Sequence, residues 1–177
     1  MKKNLFVLGI DASTSCTGYS IIKYNGKNFT LVTYGKIRPD ENLEYLDKCR
    51  FIYNKLDEVM TEYSNKVTSI AIEQPNTSVN MKNTRILCGL HGILRFMLWI
   101  RYNITPTEIN TKTLKKSISG NGDAGKQEVV NAVNKLFKTK FIFTTSQSKA
   151  NKGTSDDDIA DSIGAAYSFI IKDGGLK

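Results

Sequence analysis

The 177-residue sequence contains a single histidine, His91. Metal centres built on several histidines are therefore excluded, and a His-dependent triad would have to use that one residue. His91 sits in an apolar helical stretch, where packing is the ordinary role. Cysteine is scarce too. Cys16, Cys49 and Cys88 lie far apart with no C-x-x-C pair, which argues against zinc ribbons and disulfide frameworks and for a reducing interior. The apolar runs at 5–10 and 93–100 fall far below the ~20 residues of a membrane span, and the first is too short for the core of a secretory leader. These absences predict a soluble, cytoplasmic protein with no membrane partner. No G-x-x-x-x-G-K-[ST] segment is present, so a P-loop nucleotide site is not expected.

What the chain does have is positive charge: 25 Lys and Arg against 17 Asp and Glu, a formal net charge of +8. An excess of this size favours a polyanionic partner, because each phosphate contact releases condensed counterions. The length suits one domain, residues 1–177, able to bury roughly 70% of the surface of the unfolded chain.

Hydrophobic periodicity gives the order β-β-β-α-β-α-β-α-α-α. A continuous apolar run, 5–10, ends at Asp11 and suits a strand buried on both faces. Segments 17–24 and 29–37 are β-rich and flank Asn25-Gly26, a hairpin signal; the three strands are read as antiparallel. Residues 43–63 switch to a helical period. Residues 67–72 form a further strand that Glu73-Gln74-Pro75 ends. A long helix, 82–101, carries a wide stripe of Ile86, Leu87, Leu90, Ile93, Leu94, Met97 and Leu98, which suits core packing or a dimer interface. A short strand at 104–109 is weakened by Pro106, and helices follow at 111–117 and 126–137. The polar, lysine-rich stretch 138–152 reads as a loop. Ser155 offers an N-cap for a last helix running to about residue 171, with Asp156, Asp157 and Asp158 in its first turn. A hairpin-joined trio followed by alternating strands and helices implies an α/β fold, a mixed sheet covered by helices.

Four acids stand out by position. Asp11 and Glu73 each end an apolar strand, where a carboxylate is costly unless it finds a cation. If those strands are parallel neighbours, the two acids are adjacent. Asp158 and Asp161, at i and i+3, share a helix face opposite Ile159, Ile163, Ala166 and Ile170. Asp157 competes, being i, i+4 to Asp161. Gly164 and Ala165 are small and would let this helix approach the sheet closely. Converging carboxylates repel unless divalent metal bridges them, and hard oxygen ligands suit Mg2+ or Mn2+. Two such ions can activate water and stabilise the leaving oxygen of a phosphodiester.

Four segments now resemble one family in order. Leu8-Gly9-Ile10-Asp11 with Thr17-Gly18-Tyr19 is similar to the G-I-D-P-G…T-G-[YW] opening of RuvC-type Holliday-junction resolvases. Ala71-Ile72-Glu73-Gln74 resembles their A-[IV]-E motif. Lys115, followed by Gly120-Asn121-Gly122-Asp123-Ala124-Gly125-Lys126-Gln127-Glu128-Val129, resembles their K…G-x-G-x-A-x-K-x-Q-V segment. Asp158-Ile159-Ala160-Asp161-Ser162 resembles their D-A-A-D-A-[LI] closing motif. The resemblance implies a ribonuclease-H-like fold with a five-stranded mixed sheet in the order 3-2-1-4-5 and helices on both faces. It implies metal ligands at Asp11, Glu73, Asp158 and Asp161, favours Asp158 over Asp157, and gives catalytic or phosphate-contacting roles to Lys115 and Lys126, with Lys116 also against the backbone. It further implies a homodimer that cuts branched DNA. Asn76, Asn80, Lys82 and Arg85 are read as candidate DNA contacts on their residue types. Two departures stand out. Ala12-Ser13 replaces proline-glycine after the first acid, and Pro75-Asn76 stands where bacterial enzymes often place a stacking aromatic. A phage-encoded member with a broader taste for branched DNA would fit them.

Two other readings are kept. A ribonuclease-H-like nuclease acting on RNA would share the phosphate chemistry, since phosphate contacts do not report the sugar. A non-catalytic dimeric DNA-binding module needs only the basic charge and the apolar helix, and leaves the strand-end acids unexplained.

Overall fold

The computed structural model describes residues 4–75, 80–144 and 154–172. In chain order the elements are β1 (Leu5–Asp11), β2 (Thr17–Tyr24), β3 (Phe29–Ile37), α1 (Tyr45–Glu62), β4 (Ser69–Glu73), α2 (Met81–Tyr102), β5 (Thr107–Ile109), α3 (Thr111–Ser119), α4 (Lys126–Phe137) and α5 (Asp157–Lys172). The sheet order is β3-β2-β1-β4-β5, the expected 3-2-1-4-5. β1, β2 and β3 pair antiparallel; β4 is parallel to both β1 and β5.

Strand alternation sorts side chains to two faces. On β1, Leu8 and Ile10 join Ile70 and Ile72 of β4 in a core closed by α1 and α2. Leu5 and Val7 join Ala71 of β4 in a second core under α3, α4 and α5. Continuing that alternation, Asp11 and Glu73 fall on the α5 face. Each fully buried Leu or Ile contributes about 1.5–3 kcal/mol; such residues make up most of the first core, while the second mixes them with Val and Ala.

α5 is the centre of the second core. It is buried on nearly every side, against the sheet on one flank and against α3 and α4 on the other. The close approach to the sheet comes from glycines in the strands. A Cβ at Gly9 would lie 2.0 Å from the Ser162 carbonyl oxygen, and one at Gly18 2.0 Å from that of Asp158. Gly164, expected to face the sheet, instead makes room for α3, since a Cβ there would lie 2.5 Å from Leu114 Cδ2.

The hairpin after β2 spans the expected residues 25–28, where the Asn25 carboxamide oxygen accepts from the backbone N–H groups of Lys27 and Asn28. Two other boundaries differ for local reasons. β5 is three residues long and starts just after Pro106, which has no N–H to give to a ladder. α5 begins at Asp157, so Ser155 is not its N-cap and Asp156 precedes the helix. The Asp156 carbonyl accepts the N–H of Ala160, while its carboxylate accepts from Lys36 Nζ at 2.7 Å and from the Ile142 N–H at 3.0 Å. Of the expected loop 138–152, residues 145–152 lie outside the described residues.

Candidate active site

The parallel register pairs Ile10 with Ile72, so the next residues, Asp11 and Glu73, lie side by side at the C-terminal edge of the sheet. α5, seated on Gly9 and Gly18, brings its second turn over the same edge. As a result one carboxylate oxygen from each of Asp11, Glu73 and Asp161 lies within 4.8 Å of the others. Asp158 is one turn earlier, half-buried beside them. It acts electrostatically on Asp11 and Asp161 and is hydrogen-bonded to the Cys16 thiol.

The four acids are held at a cost. Burial, then repulsion from Glu73, Asp161 and Asp158, drives the Asp11 carboxyl well above the usual carboxylate range. Burial and then Glu73 push Asp161 to about 8. Glu73 is raised chiefly by burial, offset in part by a hydrogen bond from Thr111, then by Lys115 and Lys126. Asp158 is raised by burial, offset by Cys16. Among the described residues neither Asp11 nor Asp161 receives a hydrogen bond. Buried carboxylates that converge without donors fit a hard divalent cation, whose charge would remove the repulsion and whose coordination shell takes oxygen ligands.

Lys126 opens α4 and forms an ion pair with Asp157 at the rim of the acids. Although burial acts against it, that contact raises the ammonium above its ordinary value and lowers Asp157. Asp157 is thus engaged by Lys126 and is not among the three converging oxygens. Lys115 on α3 is close enough to act on Glu73. Lys116, Lys82 and Arg85 are exposed and are not among the charges acting on the four acids. Asn80 is the N-cap of α2, accepting from the N–H groups of Lys82 and Asn83. Asn76 lies outside the described residues. His91 is buried, with no partner on Nδ1 among the described residues; burial, then Arg95, lowers it to about 4. It packs on the α1–α2 face, away from the acids.

Two open grooves flank the acids, each about 500 Å³. One is lined by Gln74, Asn110, Thr111, Lys112 and Lys115 beside Glu73; the other by Cys16, Arg38, Lys48 and Asp157 beside Asp158. Three residues at the acids were not singled out by the sequence: Thr111, whose Oγ1 donates to Glu73 Oε1 at 2.7 Å, Cys16, and Arg38, which acts on both Cys16 and Asp158. Burial, then the Asp158 bond, pushes the Cys16 thiol up to about 12, so it stays a protonated donor. Arg38 follows the end of β3, and no motif marks it.

The family described as Crossover junction endodeoxyribonuclease RuvC matches residues 7–164. The protein of that name from Brachyspira hyodysenteriae is 31% identical over 168 residues, 95% of each chain. The one from Chloroherpeton thalassium is 28% identical over 132 residues, 75% of this chain and 69% of its own. Among solved structures, Thermus thermophilus RuvC in complex with a Holliday junction substrate superposes with a TM-score of 0.74 at 15% identity, covering 93% of this chain and 92% of that one. The Fowlpox virus resolvase with Holliday junction DNA superposes at 0.53 and 16% identity, covering 98% and 100%. The fold is the ribonuclease-H-like one those structures share, and this chain belongs to the RuvC family of crossover junction endodeoxyribonucleases.

Proposed function

We propose that this protein resolves four-way DNA junctions by metal-dependent phosphodiester hydrolysis, as a homodimer, in DNA recombination or repair. The observation that carries the reading is the convergence of Asp11, Glu73 and Asp161 within 4.8 Å at one sheet edge, in a chain of net charge +8.

Asp11, Glu73 and Asp161, with Asp158, would hold two Mg2+ or Mn2+ ions. When bound, such ions acidify a water and neutralise charge at the leaving oxygen. The chain's own residues do the rest. Burial of the carboxylates fixes where the cations sit and keeps the ligands dry. Lys126, drawn from Asp157 to the incoming phosphate, offsets charge that grows in the transition state. Lys115 borders the groove beside Glu73 and would hold the strand there. Lys116, Lys82 and Arg85, exposed on α3 and α2, would add backbone contacts that supply affinity without sequence information. Asn80, at the start of α2 beside Lys82, and Asn76 would add further contacts to the DNA.

The homodimer is supported by α2. Only Leu90, Leu94 and Leu98 of its stripe are fully buried with His91, while Phe96, Met97, Trp99 and Ile100 are exposed together near its C-terminal end. Such a patch suits a second subunit.

The test is cleavage of a labelled four-way DNA junction, a Y-fork, a linear duplex and an RNA junction, each with Mg2+, Mn2+ or chelator, with every strand read in turn. Paired symmetric nicks confined to the DNA junction and absent with chelator are expected. Equal cutting of RNA would support the ribonuclease reading, and binding without cutting under any metal would leave a DNA-binding module. Sedimentation velocity of the wild type and Trp99→Glu tests the dimer; a monomeric wild type would overturn it.

A further inference from the structure

The acids of the site are not held alike. Asp11 and Asp161 receive no hydrogen bond among the described residues, whereas Glu73 Oε1 accepts the Thr111 hydroxyl at 2.7 Å. Thr111 is the first residue of α3, and the backbone that carries it is fixed to the backbone that carries Glu73. The Gln74 N–H donates to the Ile109 carbonyl at 2.8 Å. Asn110 Nδ2 donates to Gln74 Oε1 at 3.3 Å, while Asn110 Oδ1 caps α3 by accepting the Lys112 N–H at 3.0 Å. The hydroxyl is therefore aimed by a strand-to-helix junction tied on both sides.

We propose that Thr111 is a positioning residue that fixes Glu73 as a one-oxygen ligand, binding Oε1 and leaving Oε2 for the cation. The inference rests on the reading of these acids as a metal centre. The terminal torsion of a glutamate is broad, with two faces of nearly equal energy. A donor held on one oxygen removes that freedom and opposes two-oxygen coordination. Partners of this kind typically change metal affinity or activity by about 10–100-fold when removed. Thr111 touches neither substrate nor metal in this arrangement and acts only through Glu73.

The test is Mn2+ binding to the full chain without DNA, followed by electron paramagnetic resonance, for the wild type, Thr111→Val, Thr111→Ser and Glu73→Gln. Cleavage is then measured against Mn2+ concentration, and thermal unfolding in chelator. Valine keeps the shape and removes the donor; serine keeps the donor. Thr111→Val is expected to weaken Mn2+ binding ~10-fold or more, Thr111→Ser by less than ~3-fold. The half-saturating Mn2+ for cleavage should rise in Thr111→Val while the rate at saturating metal returns to within a few-fold of wild type. Unfolding in chelator should be little changed. Equal Mn2+ affinity in wild type and Thr111→Val, or a serine variant as weak as the valine one, overturns the proposal. A wild type that binds Mn2+ no better than Glu73→Gln instead overturns the metal-centre reading itself.

Discussion

Replacing Asp161 by asparagine should stabilise the metal-free protein and at the same time remove its response to metal. Burial and the neighbouring Glu73 raise Asp161 from 3.8 to about 8. At pH 7 the folded chain must therefore keep a proton that the unfolded chain has released. At about 1.4 kcal/mol per unit, that penalty is capped at roughly 4 kcal/mol at pH 7. Asparagine is the same size, needs no proton and offers an amide donor to Glu73 and Asp11, although it remains buried. A gain of about 1–3 kcal/mol, or roughly 3–10 °C in Tm for a chain of this length, is expected in chelator. Adding Mg2+ or Mn2+ should raise the Tm of the wild type by mass action and the variant by much less. The assay is thermal unfolding by circular dichroism with chelator and with each metal. An Asp161→Asn variant equal to or less stable than wild type in chelator would refute the view that the carboxylates repel one another without a cation.

The same carboxyl sets a pH dependence. Between 3.8 and about 8 the folded state binds more protons than the unfolded one, so metal-free stability should be highest at the acid end, fall as pH rises through that window and level off above it; a Tm series from pH 5 to 8.5 in chelator checks the sign. Gly9→Ala places a Cβ 2.0 Å from the Ser162 carbonyl oxygen, backbone against backbone with no flexible end to yield. A loss of about 3 kcal/mol or more is expected by urea denaturation, and a loss below 1 kcal/mol would contradict the close seating of α5. Lys126→Met should lower single-turnover cleavage about 10²–10³-fold and lower Tm as well, because its partner Asp157 is only 13% exposed and is left without its cation.

The strands were legible because strand periodicity is short-range; their order in the sheet, 3-2-1-4-5, came only with the resemblance to the resolvase family. Asp11 and Glu73 could be placed together from the assumption that β1 and β4 are parallel neighbours. The choice between Asp157 and Asp158 could not be made by spacing, since i, i+3 and i, i+4 both share a face with Asp161; it is a neighbour on α4, Lys126, that engages Asp157. Thr111 escaped notice because its partner Glu73 is 38 residues away in sequence and threonine at a helix start has an ordinary local explanation. Cys16 was read only through cysteine pairing, whereas its contact is a carboxylate from the far end of the chain. The glycine arrangement was half legible: the small residues of α5 were expected to permit the close approach, but Gly9 and Gly18 of the sheet do so. Which of two packed backbones must lack a Cβ depends on the crossing geometry, which neither segment encodes alone.

The central claim is that the buried carboxylates at the β1–β4 edge are the metal-dependent cutting centre. Its most direct test is single-turnover cleavage of a four-way DNA junction by wild type and Asp11→Asn at saturating protein and Mg2+, with junction affinity measured on the same samples in Ca2+. The account predicts junction affinity within about threefold of wild type and a cleavage rate lower by at least about a thousandfold, some 4 kcal/mol of barrier. Cleavage by Asp11→Asn within tenfold of wild type would contradict it and place the chemistry elsewhere in the chain.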